Sequence, residues 1–175
     1  MLCADPFHVV AWATQCLDDV RRQAWNDARR QAGGSRGAAT AGCATTCPAV
    51  TPAGIQRSRW ALWKNADDLT DNQRAKLAWI AKTSPRLRRA YLVKDALRWM
   101  FTVKGEAGKH TLHRWLMWAQ RCCIDVFVAL GRKIKRHLPA IHATLEHARR
   151  MVGVGHGDRR QPGLRQARRL LADRA

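Results

Sequence analysis

Residues 84–101 read SPRLRRAYLVKDALRWMF, and the pattern of this segment predicts a helix. The Ser-Pro pair at its start is typical of a helix N-terminus, because proline suits the first helical position. The following glycine, Gly105, predicts a stop. Apolar side chains recur between these signals at three- and four-residue steps, as expected for one face of a helix: Leu87, Ala90, Tyr91, Leu97 and Phe101.

The same signals extend in both directions along the chain. A capping-box pattern at residues 70–73 precedes one apolar helix face. Further apolar faces follow within residues 112–122 and, after Asp125 as a candidate cap, within residues 126–134. Pro139 precedes a last helix. Near the N-terminus, Asp5 and Pro6 predict a helix running to about residue 31, after at most one short strand at residues 1–4. The sequence therefore predicts a mainly α-helical chain.

Two segments lack this periodicity. Residues 33–56 are rich in Gly, Ala, Thr, Ser and Pro, and residues 151–175 are rich in Arg, Gly, Gln and Asp. Segments with few large apolar side chains bury too little surface to offset the entropy lost on ordering. We therefore expect an N-terminal unit at 1–32, a flexible linker at 33–56, a helical domain at 57–150 and a basic, disordered tail at 151–175.

The chain has 32 Lys and Arg against 13 Asp and Glu, a net charge of +19. Such a surplus attracts polyanions, so DNA is the first candidate partner, although GC-rich coding DNA alone also enriches arginine.

Without a signal peptide or an apolar run of membrane length, we expect a cytoplasmic, nucleoid-associated protein with no membrane partner. Two basic clusters are candidate DNA contacts, with a solvated helix face as the alternative: Arg86, Arg88 and Arg89, then Arg132, Lys133, Lys135 and Arg136.

Few residues of the sequence indicate metal binding, base stacking or catalysis. Cys43 and Cys47 are separated by three residues with no second pair at ligand spacing, which favours free thiols over zinc. Most of the eight tryptophans are expected in the core, with at most one free to stack on a base. From its position alone, Asp5 is either a helix cap or a metal-facing carboxylate, and the cap is favoured.

Several blocks, in order, resemble the DDE transposases of bacterial insertion sequences, in the ISL3 group. The first block is ADPFHVV at 4–10, followed by DVRR at 19–22. The second runs from RWALWKN at 59–65 through RAYLVK at 89–94 and RWLMWA at 114–119 to IHATLEH at 141–147. The resemblance covers roughly residues 1–32 and 57–148.

This resemblance implies that Asp5 is the second acid of a DDE triad in an RNase H-like catalytic core that uses Mg²⁺ or Mn²⁺. It also implies that residues 1–32 are a vestige of that core and that 57–150 are a helical insertion. The first acid is expected upstream, and the third would fall at Gly155, so a frameshift near residue 149 is expected. Asp5 alone would hold a metal only weakly.

Three functions are consistent with these features. The chain is an inactive transposase fragment, a non-enzymatic DNA-binding protein that regulates full-length transposase, or a nuclease completed in trans. The first is favoured, because the triad partners of Asp5 are missing.

Overall fold

The computed structural model describes residues 5–34, 50–65 and 68–147. All regular elements in these ranges are helices, which confirms the mainly α-helical prediction. The predictions of a strand at 1–4 and a basic tail at 151–175 concern residues outside these ranges. The helices are α1 Pro6–Gly34, α2 Pro52–Arg57, α3 Arg59–Trp63, α4 Asp71–Thr83, α5 Pro85–Met100, α6 Gly105–Arg121, α7 Asp125–Arg136 and α8 Leu138–His147.

The predicted start signals operate largely as expected. Pro85 is the first residue of α5, and the Thr70 backbone N–H donates to Gln73 Oε1 at 3.1 Å, completing the capping box of α4. Two signals act differently. Asp125 is the first residue of α7 and follows Ile124 as N-cap, whereas Gly105 begins α6 at φ +67, a left-handed conformation that glycine adopts without a Cβ penalty.

The helices share one hydrophobic core. Helix α5 packs against α1, α4 and α6, and α7 packs against α1, α6 and α8. Although the sequence suggested a separate unit at 1–32, α1 contributes Val9, Ala13, Leu17 and Val20 to the same buried cluster as Leu87 and its neighbours. Trp115 of α6 is fully buried in this cluster and donates its Nε1–H to Val93 O at 2.9 Å.

The predicted linker at 33–56 is too long at its C-terminal end. Helix α2 begins at Pro52, capped by the Thr51 hydroxyl, which accepts from the Gly54 N–H at 3.2 Å. Ile55 is 1% exposed, and a Cβ on Gly54 would come within 2.5 Å of the Trp79 ring. The buried side chain of Ile55 and the close packing of Gly54 against Trp79 thus hold α2 in place. The average composition of residues 33–56 had indicated a linker there. Residues 35–49 of that prediction lie outside the described ranges.

Lys94, in the middle of α5, is 1% exposed. Its Nζ donates to Leu62 O at 3.0 Å and to Lys64 O at 3.4 Å, at the end of α3. The last carbonyls of a helix lack intrahelical donors and carry partial negative charge, so the ammonium group caps α3. Burial lowers the pKa of Lys94 from its ordinary value of 10.5 to about 8.

The shifted pKa of Lys94 predicts a specific dependence of stability on pH. The folded chain releases the Lys94 proton near pH 8, whereas the unfolded chain holds it until about pH 10.5. Unfolding therefore takes up a proton between these values, and the contribution of Lys94 to the free energy of unfolding rises with pH. Relative to Lys94→Met, the wild-type chain should gain about 3 kcal/mol between pH 7 and pH 10.5.

Denaturant titrations of both proteins across this pH range measure the gain. The comparison with Lys94→Met is needed because burial raises the pKa of the Cys16 thiol to about 11, which lowers stability with rising pH in both proteins and cancels in the difference. A difference in stability between the two proteins that stays constant with pH would contradict the lowered pKa of Lys94 in the folded chain.

Within the described ranges, no helix is long and apolar enough to cross a membrane.

Candidate nucleic-acid interface

The first basic cluster lies at the start of α5. Arg86 is exposed and donates from Nη2 to Gln23 Oε1 of α1 at 3.1 Å. Arg89 is exposed and donates from Nη1 to the carbonyl oxygen of Cys122 at 3.1 Å. Helix α5 has no acidic residue in its first turn, and cations at a helix N-terminus oppose the helix dipole. Stabilisation of the α5 dipole therefore does not explain why three arginines, Arg86, Arg88 and Arg89, occur at the start of this helix.

The second basic cluster lies at the end of α7. Arg132, Lys135 and Arg136 are exposed, while Lys133 is partly covered and holds its Nζ 3.6 Å from the centroid of the Trp12 ring. The Trp12 ring also lies 5.7 Å from that of His137. Cations at a helix C-terminus complement the dipole, so part of this charge stabilises α7 itself.

One side chain from each cluster contacts the same side of α1. Gln23, which binds Arg86, comes eleven residues after Trp12, which holds Lys133. Eleven residues are close to three full helical turns, so the two contacts share one side of α1 and are about 16 Å apart along its axis. Asp19 lies between them on that side and is paired with Arg22. The clusters are thus two patches joined by α1, an arrangement that spacing along the chain did not predict.

Asp5 caps α1, as its position in the sequence favoured. Its Oδ1 accepts from the Phe7 backbone N–H at 2.9 Å, and its Oδ2 lies 3.0 Å from His8 Nδ1. These hydrogen bonds, from Phe7 first and then His8, hold the pKa of the Asp5 carboxyl below its ordinary value. Phe7 and His8 are themselves exposed.

Around Asp5, the residues that the structure describes do not supply the ligand set of a divalent metal site. Mg²⁺ and Mn²⁺ sites of the two-metal type need several carboxylates around the ions. In the part of the chain that the structure describes, no three His, Cys, Asp or Glu side chains are grouped so as to hold a metal. The acids that follow Asp5 on α1 pair with arginines along the helix: Asp18 with Arg21, Asp19 with Arg22 and Asp27 with Arg30. Gly155, where the third acid was expected, lies outside the described ranges.

The described cysteines are free thiols. Cys122 is the C-cap of α6 and is buried, and burial raises the pKa of its thiol. Cys123 follows at φ 56, a left-handed conformation that turns the chain sharply towards α7. Cys43 and Cys47 lie outside the described ranges.

Most tryptophans serve the core, as predicted. Trp115 is fully buried, and five others are partly buried against the core cluster: Trp12, Trp63, Trp79, Trp99 and Trp118. Trp60, by contrast, is 62% exposed. Trp118 also lines a surface pocket together with arginines.

The chain is similar to transposases. A family model described as transposase, for the ISL3 group of DDE transposases, matches residues 1–153. The chain is also 56% identical over 149 residues to the "Transposase for insertion sequence element IS1557" of two Mycobacterium tuberculosis strains, CDC 1551 and H37Rv. These alignments cover 83% of this chain and 34% of each relative, so the chain spans about a third of their length. No solved structure matches it significantly.

Proposed function

Because the chain belongs to the ISL3 family of DDE transposases, we propose that it acts in DNA transposition by binding DNA and does not cut DNA on its own. The observation that carries the proposal is the pair of basic clusters on one side of α1. One of them, at the start of α5, lies where its charges oppose the helix dipole.

The geometry of the clusters suits a DNA duplex. Their contact points on α1, Gln23 and Trp12, are about 16 Å apart along the helix axis, which is comparable with the width of the major groove, about 12 Å, together with the phosphates that flank it. Each cluster would contact one phosphate backbone, and guanidinium groups bind phosphate oxygens through paired N–H donors. Contacts of this kind position a protein on DNA without reading its sequence, so we expect weak sequence preference.

Catalysis by this chain alone is not expected. The resemblance assigns Asp5 as the second acid of a triad in an RNase H-like core, where Mg²⁺ or Mn²⁺ would activate the attacking oxygen. Here the Asp5 carboxylate is engaged by Phe7 and His8, and in the described ranges it belongs to no group of three or more His, Cys, Asp or Glu side chains that could hold a metal. A lone carboxylate holds Mg²⁺ weakly, because the ion keeps most of its water shell.

We expect the purified chain to bind DNA carrying the ends of the IS1557 element and to leave both strands intact with Mg²⁺ or Mn²⁺. Asp5→Ala should leave DNA affinity unchanged, because the basic clusters lie elsewhere, and should weaken only the start of α1. Binding is followed by fluorescence anisotropy, and cleavage on denaturing gels with the full-length M. tuberculosis transposase as the positive control. Mn²⁺-dependent nicking that disappears in Asp5→Ala would overturn the proposed inactivity.

A further inference from the structure

A surface pocket of about 470 Å³ lies where α4, α5 and α6 meet. Its lining combines one aromatic side chain, Trp118, with three arginines, Arg88, Arg89 and Arg121, and the apolar Leu92. No carboxylate is among the described residues that line it. The pocket therefore offers an aromatic ring and an apolar wall to a flat ring, and positive charge to an anion.

Local structure holds these groups in place. Helix α6 ends at Arg121, and the left-handed backbone of Cys123 turns the chain away. This turn presents the carbonyl oxygen of Cys122 to Arg89, which donates to it from Nη1 at 3.1 Å and is thereby fixed at the pocket. Trp118 lies one helical turn before Cys122 and is packed against the hydrophobic core, so its ring is fixed as well.

We propose that this pocket takes one unpaired nucleotide of the bound DNA. The base stacks on the Trp118 ring, and the adjoining phosphate contacts Arg89 and Arg121. A volume of this order suits a single small ligand, and aromatic rings beside arginines are the usual means of holding unpaired bases. A base inside a duplex is covered on both faces, so the pocket distinguishes unpaired from paired DNA. This inference rests on the proposed DNA binding and adds a preference for its substrate.

The test uses the full chain and three DNAs that share one duplex. The first is blunt, the second carries a single-stranded tail of about five nucleotides, and the third carries an abasic tail of the same length. We expect the wild-type chain to bind the tailed duplex roughly tenfold more tightly than the blunt one, since stacking one base strengthens binding by about five- to 150-fold. The duplex with the abasic tail should bind only slightly more tightly than the blunt duplex.

Trp118→Leu should abolish the preference for the tail while leaving blunt-duplex affinity unchanged, and Trp118→Tyr should restore most of it. If Trp118→Leu does not fold, Arg121→Gln, at an exposed position outside both basic clusters, carries the same test. An unchanged tail preference in these variants would overturn the proposal, and so would equal affinity for abasic and normal tails, which would mark a site for phosphate alone. Failure to bind any of the three DNAs would instead overturn the proposed DNA binding.

Discussion

Trp115→Ala is expected to lower the free energy of unfolding by about 3–5 kcal/mol, which is a large part of the stability of a typical domain. The Trp115 side chain is fully buried in the core cluster, so its removal leaves a large cavity. The change also leaves the Val93 carbonyl, which accepts from Trp115 Nε1 at 2.9 Å, without this donor in the core. Chemical denaturation followed by circular dichroism measures the loss.

Trp60→Ala is the matched control. Trp60 is 62% exposed on α3, where it meets Trp63 edge to face, and its removal should cost within about 0.5 kcal/mol. Equal losses for the two substitutions would contradict the core described for this chain.

The second large effect concerns salt. If the chain contacts about six phosphates, its affinity for DNA should fall on the order of a thousandfold between 50 mM and 200 mM salt, because each contact releases condensed counterions. Anisotropy titrations at several salt concentrations give the slope of log affinity against log salt. An affinity that does not change with salt would show that the net charge of +19 does not act on phosphates.

Much of the helical architecture could be predicted from the sequence, because its signals are local. The capping box of α4 and the proline that begins α5 act within one turn of where they occur in the chain. Helix α2 could not be predicted in the same way. Its burial depends on Ile55 reaching the core and on Gly54 lying against Trp79, and both are tertiary contacts that composition over 33–56 does not reveal.

The candidate interface could be predicted only in part. Both basic clusters were visible as runs of Lys and Arg, but their common side of α1 depends on contacts between Arg86 and Gln23 and between Lys133 and Trp12. Lys94 was missed altogether, because a lysine within an amphipathic pattern normally indicates a solvated position. No sequence signal showed that the end of α3 would lie within reach of its ammonium group.

The most direct test of the account compares three variants that each lose three exposed or partly exposed positive charges. One carries Gln at Arg86, Arg88 and Arg89 on α5, and one carries Gln at Arg132, Lys135 and Arg136 on α7. The control carries Gln at Arg57, Arg74 and Lys76, exposed positions on α2 and α4. We predict that each cluster variant lowers the salt slope of DNA binding by up to about 3, since each lost phosphate contact removes about 0.9, while the control keeps the wild-type slope. An equal decrease of the salt slope in all three variants would contradict a localised interface. It would mean that DNA binding depends only on the net charge of the chain.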